Sequence, residues 1–356
     1  MNRPLIALDA RLYGRENTGD STYWTGLIDA LGSVDSEFQF LLLSNYPRPS
    51  EVPDSLRWEM VAGGNSRWMS LVSLPLAARR AGSKLFHTQY NLSPLAKGGV
   101  TTIHDVSFFV GPEWFRHRDR VILQRFIPAS ARRAKRVITV SETSKSEIVR
   151  FLKIPSEKVS VTPLGVSASF HPRDHAHVES VLHKYGVDEP YVLTVGARWP
   201  RKNVELAIRA MERLSERFPH KLVVAGRMDL SDFGDSKRVV GTGWVGHDDL
   251  PALFSRASLY LCPSRHEGFG LPIVEAFASG VPVLSSCGGS LREVGGEAAM
   301  YVDDWEVSSW SAAIERVLDD SSKLNELRAA GLERVKEFSW ERTANLTLEA
   351  YRKALK

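Results

Sequence analysis

The stretch "SRHEGFGLPIVEAFASGVPVLSS", Ser264 to Ser286, brackets a glycine-rich turn with two carboxylates, Glu267 and Glu275. The run leading into it, "SLYLCPS", reads as a strand, so "RHEGFG" is the turn at that strand's C-terminal end. "LPIVEAFASG" reads as a short helix, with Pro272 near its first turn, where proline is tolerated, and Gly280 just past its end. "VPVLSS" is the next strand. Strand, turn, helix and strand make the repeating unit of a parallel α/β sheet. Ligands of such sheets bind outside the carboxyl ends of the strands. The main-chain N–H groups of Gly268, Phe269, Gly270 and Leu271 are therefore expected to face an anion. Carboxylates crowding a phosphate would repel it, so the glutamates are expected to meet hydroxyls or a base. An ordinary strand-to-helix connection is the competing reading of this stretch taken alone.

The same alternation fills the rest of the chain. Strand candidates are "PLIALD", "FQFLLLS", "KLFHT", "VTTIHD" and "RVITVS", then "YVLTVG", "KLVVAG", "SLYLCPS", "VPVLSS" and "AMYVD". Most are continuous β-rich apolar runs, as expected for parallel strands covered on both faces. Helical patterns fall between them at 20–34, 68–81, 113–133, 142–152, 203–217, 248–256, 271–278 and 306–319. The polar, proline-bearing run "GVSASFHPRDHAH", Gly165 to His177, reads as a linker between two such sheets. The last 36 residues read as helical, with Gly331 and Ser339 as punctuation and a fresh helix from Trp340 whose buried side would be Leu346, Leu348 and Tyr351. The resulting partition is 1–168, 169–338 and a closing segment 339–356.

Composition bounds the function. The 356 residues are 43% hydrophobic and 25% charged, ordinary for a globular chain, and long enough for two domains. No apolar run approaches the ~20 residues that cross a bilayer, and the N-terminal apolar stretch is too short for a signal peptide. The two cysteines, Cys262 and Cys287, have no metal-ligand spacing and sit in apolar strand contexts, so core packing and a reducing, cytoplasmic setting are expected. Charge is uneven: residues 1–170 carry 22 Lys/Arg against 15 Asp/Glu, and residues 171–356 carry 24 against 27. A basic first half suits a membrane surface, an acidic lipid carrier or nucleic acid, or is simply a solvated basic face.

Three further stretches bear chemistry. In "VGARWPRKNVELAIRAM", a strand ends at Gly196, and Arg198, Arg201 and Lys202 follow before Asn203, a candidate N-cap. Cations at a strand end beside a helix N-terminus make a phosphate site. In "TTIHDVSFF", His104 and Asp105 end a strand, either as site residues or as a buried hydrogen-bonded pair. In "GRENTGDSTYWTGLIDAL", Gly19 opens a helix after the first strand, without the G-x-G-x-x-G dinucleotide fingerprint.

Taken together, these stretches resemble the retaining glycosyltransferases of family 4. The resemblance rests, in order, on Gly19, "IHDVSFF", "ARRAKRVITVSETSKSEIVRFLKIPSEKVSVTPLGV", "VGARWPRKN", the opening stretch and the terminal "FSWERTANLTLEAYRKAL". It covers nearly the whole chain. It implies the GT-B fold, two Rossmann-like α/β domains with parallel sheets facing an inter-domain cleft, the first reading the acceptor and the second the donor. It implies that Lys202, helped by Arg201 or Arg198, binds the donor diphosphate; Ala197 stands where many relatives have arginine. Glu275 would hold the nucleotide ribose, and Glu267 with the amides of Gly268, Phe269 and Gly270 the donor sugar hydroxyls and phosphate. His104 would lie near the transferred sugar, with His104, Glu267 and Lys202 the catalytic set. Gly19 would let its loop approach the diphosphate, and "GWVGHDDL", with Val245, would meet the base.

No Asp-x-Asp metal motif is present, so metal independence and no cofactor beyond the nucleotide-sugar co-substrate are expected. The implied reaction moves a hexose to a glycan or lipid-linked acceptor; a likeness of "HDVSFF" and "PEWF" to mannosyltransferases leans the donor toward GDP-mannose. A silent nucleotide-sugar-binding subunit and a GT-B phosphorylase or epimerase stay open. The run "WFRHRDRVILQRFIPASARRAKR", with Trp114, Phe115 and Phe126 among its arginines, reads either as a helix lying on anionic lipid at the inner face of the membrane or as a surface helix with a packed aromatic side. Trp68, Met69 and Leu71 would add an apolar edge. No nucleic-acid recognition motif appears.

Overall fold

A computed structural model describes residues 3–15, 18–173, 175–196, 199–228 and 236–356. The chain divides into two compact units, residues 1–165 with 339–356, and residues 166–338.

Among the described residues, the first unit is built on a seven-stranded sheet. Its strands are β1 (Leu5–Asp9), β2 (Gln39–Ser44), β3 (Arg57–Met60), β4 (Leu85–Gln89), β5 (Gly99–Thr102), β6 (Arg136–Thr139) and β7 (Val159–Val161), in the order β3-β2-β1-β4-β5-β6-β7. Every pairing is parallel; Ala7 sits opposite Leu41 on one side and Phe86 on the other. The central strands are buried along almost their whole length, which is why they read as unbroken apolar runs. The winding reverses between β1 and β4, where ligand crevices form in such sheets.

The C-terminal helix Trp340–Leu355 belongs to this unit. The Ser339 hydroxyl caps it by accepting from the Arg342 amide at 3.1 Å. It packs on the helix Gly19–Ser33, where Gly26 has no Cβ and so makes room for the Trp340 indole. Leu348 and Tyr351 are buried as expected, whereas Leu346 is only half-buried and Thr343, Ala344 and Thr347 complete the inner side.

The second unit holds a six-stranded parallel sheet of β8 (Tyr191–Val195), β9 (Lys221–Ala225), β10 (Val239–Gly243), β11 (Leu259–Cys262), β12 (Val283–Ser286) and β13 (Ala299–Val302). Its order, β10-β9-β8-β11-β12-β13, is that of a doubly wound nucleotide-binding sheet, with the reversal between β8 and β11. Both faces are core: Tyr191, Leu193, Tyr260 and Val283 pack on one side, and Val192, Leu222, Leu261 and Leu284 on the other.

The structure departs from the sequence reading where local signals were weak. β3, β7 and β10 were not expected; they are a mostly exposed edge, a three-residue strand and a glycine-bearing edge. The linker expected through His177 gives way to a helix His175–Tyr185, whose core contacts are Val178, Val181 and Leu182. The helix expected over 203–217 ends at Glu212. The helix expected over 113–133 is broken: a short turn Pro112–Trp114 precedes a helix His117–Arg133. Gly331 does not punctuate anything; it lies inside the helix Ser321–Arg334, where a Cβ would stand 2.7 Å from the Phe277 ring.

Candidate active site

In the second unit, the two turns flanking the sheet reversal meet. The turn after β8 carries Arg201 and Lys202 in a short 3-10 segment, Pro200–Lys202. The turn after β11 carries Glu267, whose side chain is buried. Lys202 Nζ donates to Glu267 Oε1 at 2.7 Å, and Arg201 Nη1 donates to Glu267 Oε2 at 3.0 Å and to the His266 carbonyl at 2.8 Å. The Arg265 amide donates to the Arg201 carbonyl at 2.7 Å, so main chain joins the turns as well. Burial alone would raise the Glu267 pKa, but the charges of Lys202 and Arg201 and hydrogen bonds from Lys202 and Ser264 outweigh it and hold the carboxyl at about 2. Two cations on one carboxylate leave the cluster net positive.

The turn is held from below by the loop after β12. Ser290 donates from its amide (3.0 Å) and hydroxyl (3.0 Å) to the Glu267 carbonyl, and from the hydroxyl to the Phe269 carbonyl at 2.9 Å. Gly289 lies against the Glu267 backbone at φ +66°, where a Cβ would run into the Glu267 carbonyl. Gly270, at φ +96°, then starts the helix Leu271–Ala278. The Phe269 ring turns into the core, edge-on to Phe338 at 5.6 Å, and contributes only main chain to the turn's open side. The amides of Phe269, Gly270 and Leu271 donate to no described residue; as the orphan donors of a helix start they suit an anion.

Glu275, on the first turns of that helix, is also buried. No described donor reaches its carboxyl, and burial pushes its pKa up to about 7, with Lys202 opposing only in part. The two glutamates of the opening stretch are thus driven apart: one is a locked anion, the other is poised near neutrality.

The other residues expected in this unit fall as follows. Val245 packs its side chain in the core, so a base could meet only its main chain. Arg198 and Ala197 lie outside the described residues. Asn203 precedes the helix Val204–Glu212, but at φ +50° it makes no side-chain cap, because a capping side chain needs an extended backbone. Cys262 is core as expected, its thiol pushed up to about 11 by burial. Cys287 is not: its Sγ lies 2.9 Å from Arg292 Nε and 2.8 Å from an Asp303 oxygen, in a half-exposed polar setting beyond the end of β12.

In the first unit, His104 lies two residues beyond β5 and is buried. Its partner is not Asp105, which accepts from the Ser107 amide, but Gln89 at the end of β4, with Oε1 2.7 Å from His104 Nε2. Gln89 Nε2 in turn donates at 3.2 Å to the carbonyl of Asp20, next to Gly19. That second bond orients the amide, so its oxygen faces His104 and the imidazole carries its proton on Nε2. Burial lowers the His104 pKa, with Asp20 and Asp105 opposing. Gly19 is the first residue of its helix after the Thr18 cap, and a Cβ there would meet nothing within 4 Å. Gln89 and Ser290 were not singled out from sequence. Each sits at or just past a strand's C-terminal end, and that position was the available signal.

The sequence of the second unit matches the family described as "Glycosyl transferases group 1" over residues 189–320, and the first matches "Glycosyltransferase Family 4" over residues 25–170. The chain is 36% identical over 266 residues to the O-antigen chain mannosyltransferase B of Escherichia coli, an alignment covering 71% of this chain and 70% of that protein. Its fold is that of the sucrose-phosphate synthase of Thermosynechococcus elongatus (TM-score 0.78, 22% identity, 98% of each chain covered). The HepE protein of Anabaena, solved in complex with UDP-glucose, also shares it (TM-score 0.70, 17% identity, 97% of this chain and 98% of that one).

Proposed function

Because the chain belongs to glycosyltransferase family 4, with the GT-B fold and hexosyltransferase activity of that family, we propose that it moves a mannosyl residue, with retained anomeric configuration, from a nucleoside-diphosphate sugar to a glycan or lipid-linked acceptor. The mannosyltransferase relative supports the sugar, and the neighbour solved with UDP-glucose supports a nucleotide-sugar donor. The observation that carries the reading is the net-positive Lys202–Arg201–Glu267 cluster at the sheet reversal, beside the orphan amides of residues 269–271.

The donor diphosphate sits against those amides and Lys202. As the glycosidic bond breaks, negative charge grows on the leaving diphosphate, and donors already fixed there lower the barrier without reorganising. Glu267 keeps both cations aimed at one place. Glu275 accepts from the ribose hydroxyls. This arrangement carries the leaving-group charge without a metal ion. Within the first unit, His104, with Gln89 fixing its proton on Nε2, is the residue assigned to the transfer step.

The test is product analysis. Nucleoside diphosphate released only when acceptor is present, with an α-linked mannosyl product by NMR from an α-configured donor, supports retaining transfer. Donor bound without any turnover supports a binding subunit instead.

The helix His117–Arg133 supports a peripheral membrane site. Arg118, Arg125, Arg132 and Arg133 are exposed, and Val121 and Phe126 between them are 47% and 55% exposed. Trp114 and Phe115, expected on this helix, lie before it, with Phe115 packed edge-on to Phe108. Of the apolar edge, Trp68 and Leu71 are exposed while Met69 is core. Cations around exposed apolar side chains suit an anionic headgroup layer. Among the described residues no helix is long and apolar enough to cross a membrane. Co-sedimentation with phosphatidylglycerol vesicles, lost in Phe126→Asp, tests the site; equal sedimentation of that variant contradicts it.

A further inference from the structure

A buried hydrogen-bond chain runs beside the Gln89–His104 pair. His87 and Gln89 are two residues apart on β4, and Gln89 stands opposite Thr102 of β5, so strand periodicity puts these three side chains on one face of the sheet. His87 Nδ1 lies 2.7 Å from the Tyr351 hydroxyl of the C-terminal helix, and His87 Nε2 lies 2.8 Å from Thr102 Oγ1. Thr102 Oγ1 is also 2.9 Å from the hydroxyl of Tyr23, on the helix Gly19–Ser33. Tyr23, His87, Thr102 and Tyr351 are all fully buried. We propose that Thr102 is a positioning residue for the transfer step: its hydroxyl holds Tyr23 against His104 and so fixes the plane of that imidazole. The inference rests on the glycosyltransferase reading and deepens it.

Two separate constraints act on His104. Gln89 holds its Nε2 at 2.7 Å, which leaves the ring free to swing about that one bond. The Tyr23 ring stops the swing: it meets the imidazole edge-on, with centroids 4.7 Å and planes 85° apart, a favoured arrangement for ring pairs. Tyr90, tilted and 5.7 Å away, is the looser neighbour. Tyr23 stacks on Trp24 at 5.6 Å, and Trp24 meets His87 edge-on at 4.9 Å, so the rings and the hydrogen-bond chain brace each other. The Thr162 hydroxyl lies near Tyr23 but makes no hydrogen bond among the described residues, so Thr102 holds the tyrosine.

Thr102 is the node because its one hydroxyl serves two partners. Burial pushes the His87 pKa down to about 3, with His104 adding to the fall, so the ring is neutral. One ring nitrogen then donates and the other accepts. With His87 donating from Nε2, Thr102 accepts and Tyr351 donates to Nδ1. With His87 donating from Nδ1 to Tyr351, Thr102 donates to Nε2 and accepts from Tyr23. A hydroxyl satisfies the chain in either direction; a valine of the same shape would leave buried His87 Nε2 without a partner and release Tyr23. The far anchor, Tyr351, is 264 positions from His87, so the closing helix is tied into the same chain.

The experiment uses the whole chain, GDP-mannose as donor and octyl α-D-mannopyranoside as acceptor, in the wild type, Thr102→Val, Thr102→Ser and Tyr23→Phe. Thermal unfolding checks folding. Thr102→Val is expected to lower kcat about tenfold or more with donor Kd within about twofold of wild type, because a displaced group costs rate and not donor affinity. Thr102→Ser, which keeps the hydroxyl, is expected to recover most of the rate. Tyr23→Phe keeps the ring and cuts its tether, so it is expected to lose rate at unchanged donor Kd, and it carries the test if Thr102→Val does not fold. An isotope-labelled histidine spectrum reads the imidazole without any acceptor. The His104 Nε2–H signal is expected to be sharp in the wild type and Thr102→Ser and exchange-broadened in Thr102→Val and Tyr23→Phe. Wild-type kcat or an equally sharp signal in the folded Thr102→Val and Tyr23→Phe, or equal loss in Thr102→Ser and Thr102→Val, overturns the positioning role and leaves the glycosyltransferase reading standing. The expected spectra in a wild type that releases no nucleoside diphosphate would keep the fixed imidazole and remove the role in transfer.

Discussion

Lys202 and Glu267 meet at 2.7 Å across the reversal point of the second sheet, one from the turn after β8 and the other from the turn after β11. The pair joins the two strand ends between which a doubly wound sheet binds its ligand. It spends a buried carboxylate to fix a cation that, on this account, faces the donor diphosphate.

Removing that cation should cost both chemistry and stability. Lys202→Ala is expected to lower kcat/KM by about 2–4 kcal/mol of transition-state stabilisation, the scale of losing one fixed oxyanion donor. Glu267, left with Arg201 as its one cation, should then titrate above its present value of about 2. Steady-state kinetics and acid unfolding of the variant check the two parts; near-normal turnover counts against the role of Lys202.

The raised pKa of Glu275, about 7 against an ordinary 4.5, has a sign that can be followed. The folded state holds the proton more tightly than the unfolded state, so this contribution to stability is complete below pH 4.5 and is lost as pH rises through 7. The loss is about 3 kcal/mol by the unit-to-energy conversion. Glu275→Gln, uncharged throughout, should gain on the wild type between pH 5 and pH 8 in denaturant midpoint. A constant difference would show that Glu275 does not titrate there.

The same shift predicts the donor's pH dependence. A carboxylate accepts ribose hydroxyls better than a neutral carboxyl does, so donor affinity should fall as pH drops through 7. In Glu275→Gln that dependence should vanish and affinity be low at every pH. Titration calorimetry at pH 6 and 8 reads both, and an unchanged affinity in the variant removes the ribose assignment.

Gly289→Ala should be harmful although it touches no ligand. The residue sits at φ +66°, and a methyl group there meets the Glu267 carbonyl. A cost of about 1–3 kcal/mol in stability is expected, with a further loss of donor affinity as the turn moves. Unfolding curves with and without donor separate the two effects.

Treatment with a chelator should leave turnover intact if, as proposed, Lys202, Arg201 and the helix-start amides carry the leaving-group charge. Loss of activity restored by magnesium would contradict that assignment.

Much of this site was legible because it is local in sequence. Glu267, the glycines, Leu271 and Glu275 all lie in one strand–turn–helix unit, and their spacing fixes their placement. Arg201 and Lys202 were found as a cation pair at a strand end, but their bonds to Glu267 span some 65 positions and appear only once the sheet order sets β8 beside β11. Gln89 went unread because a glutamine ending an apolar strand looks like a boundary; its meaning comes from β4 lying next to β5, which brings it to His104. The same limit explains the edges of both sheets. β3, β7 and β10 draw their identity from a neighbour's hydrogen bonds more than from their own composition. Cys287 shows the converse: apolar neighbours in sequence suggested burial, but the strand ends one residue earlier and the thiol emerges beside Arg292 and Asp303.

Calorimetric titration of the wild type and Lys202→Ala with UDP-, GDP- and ADP-linked hexoses reads directly whether Lys202 holds the donor diphosphate. Saturable binding of at least one of them by the wild type is expected, with a loss of about tenfold or more in the variant. Equal affinity in the two proteins, or no binding of any donor by the wild type, would contradict that role.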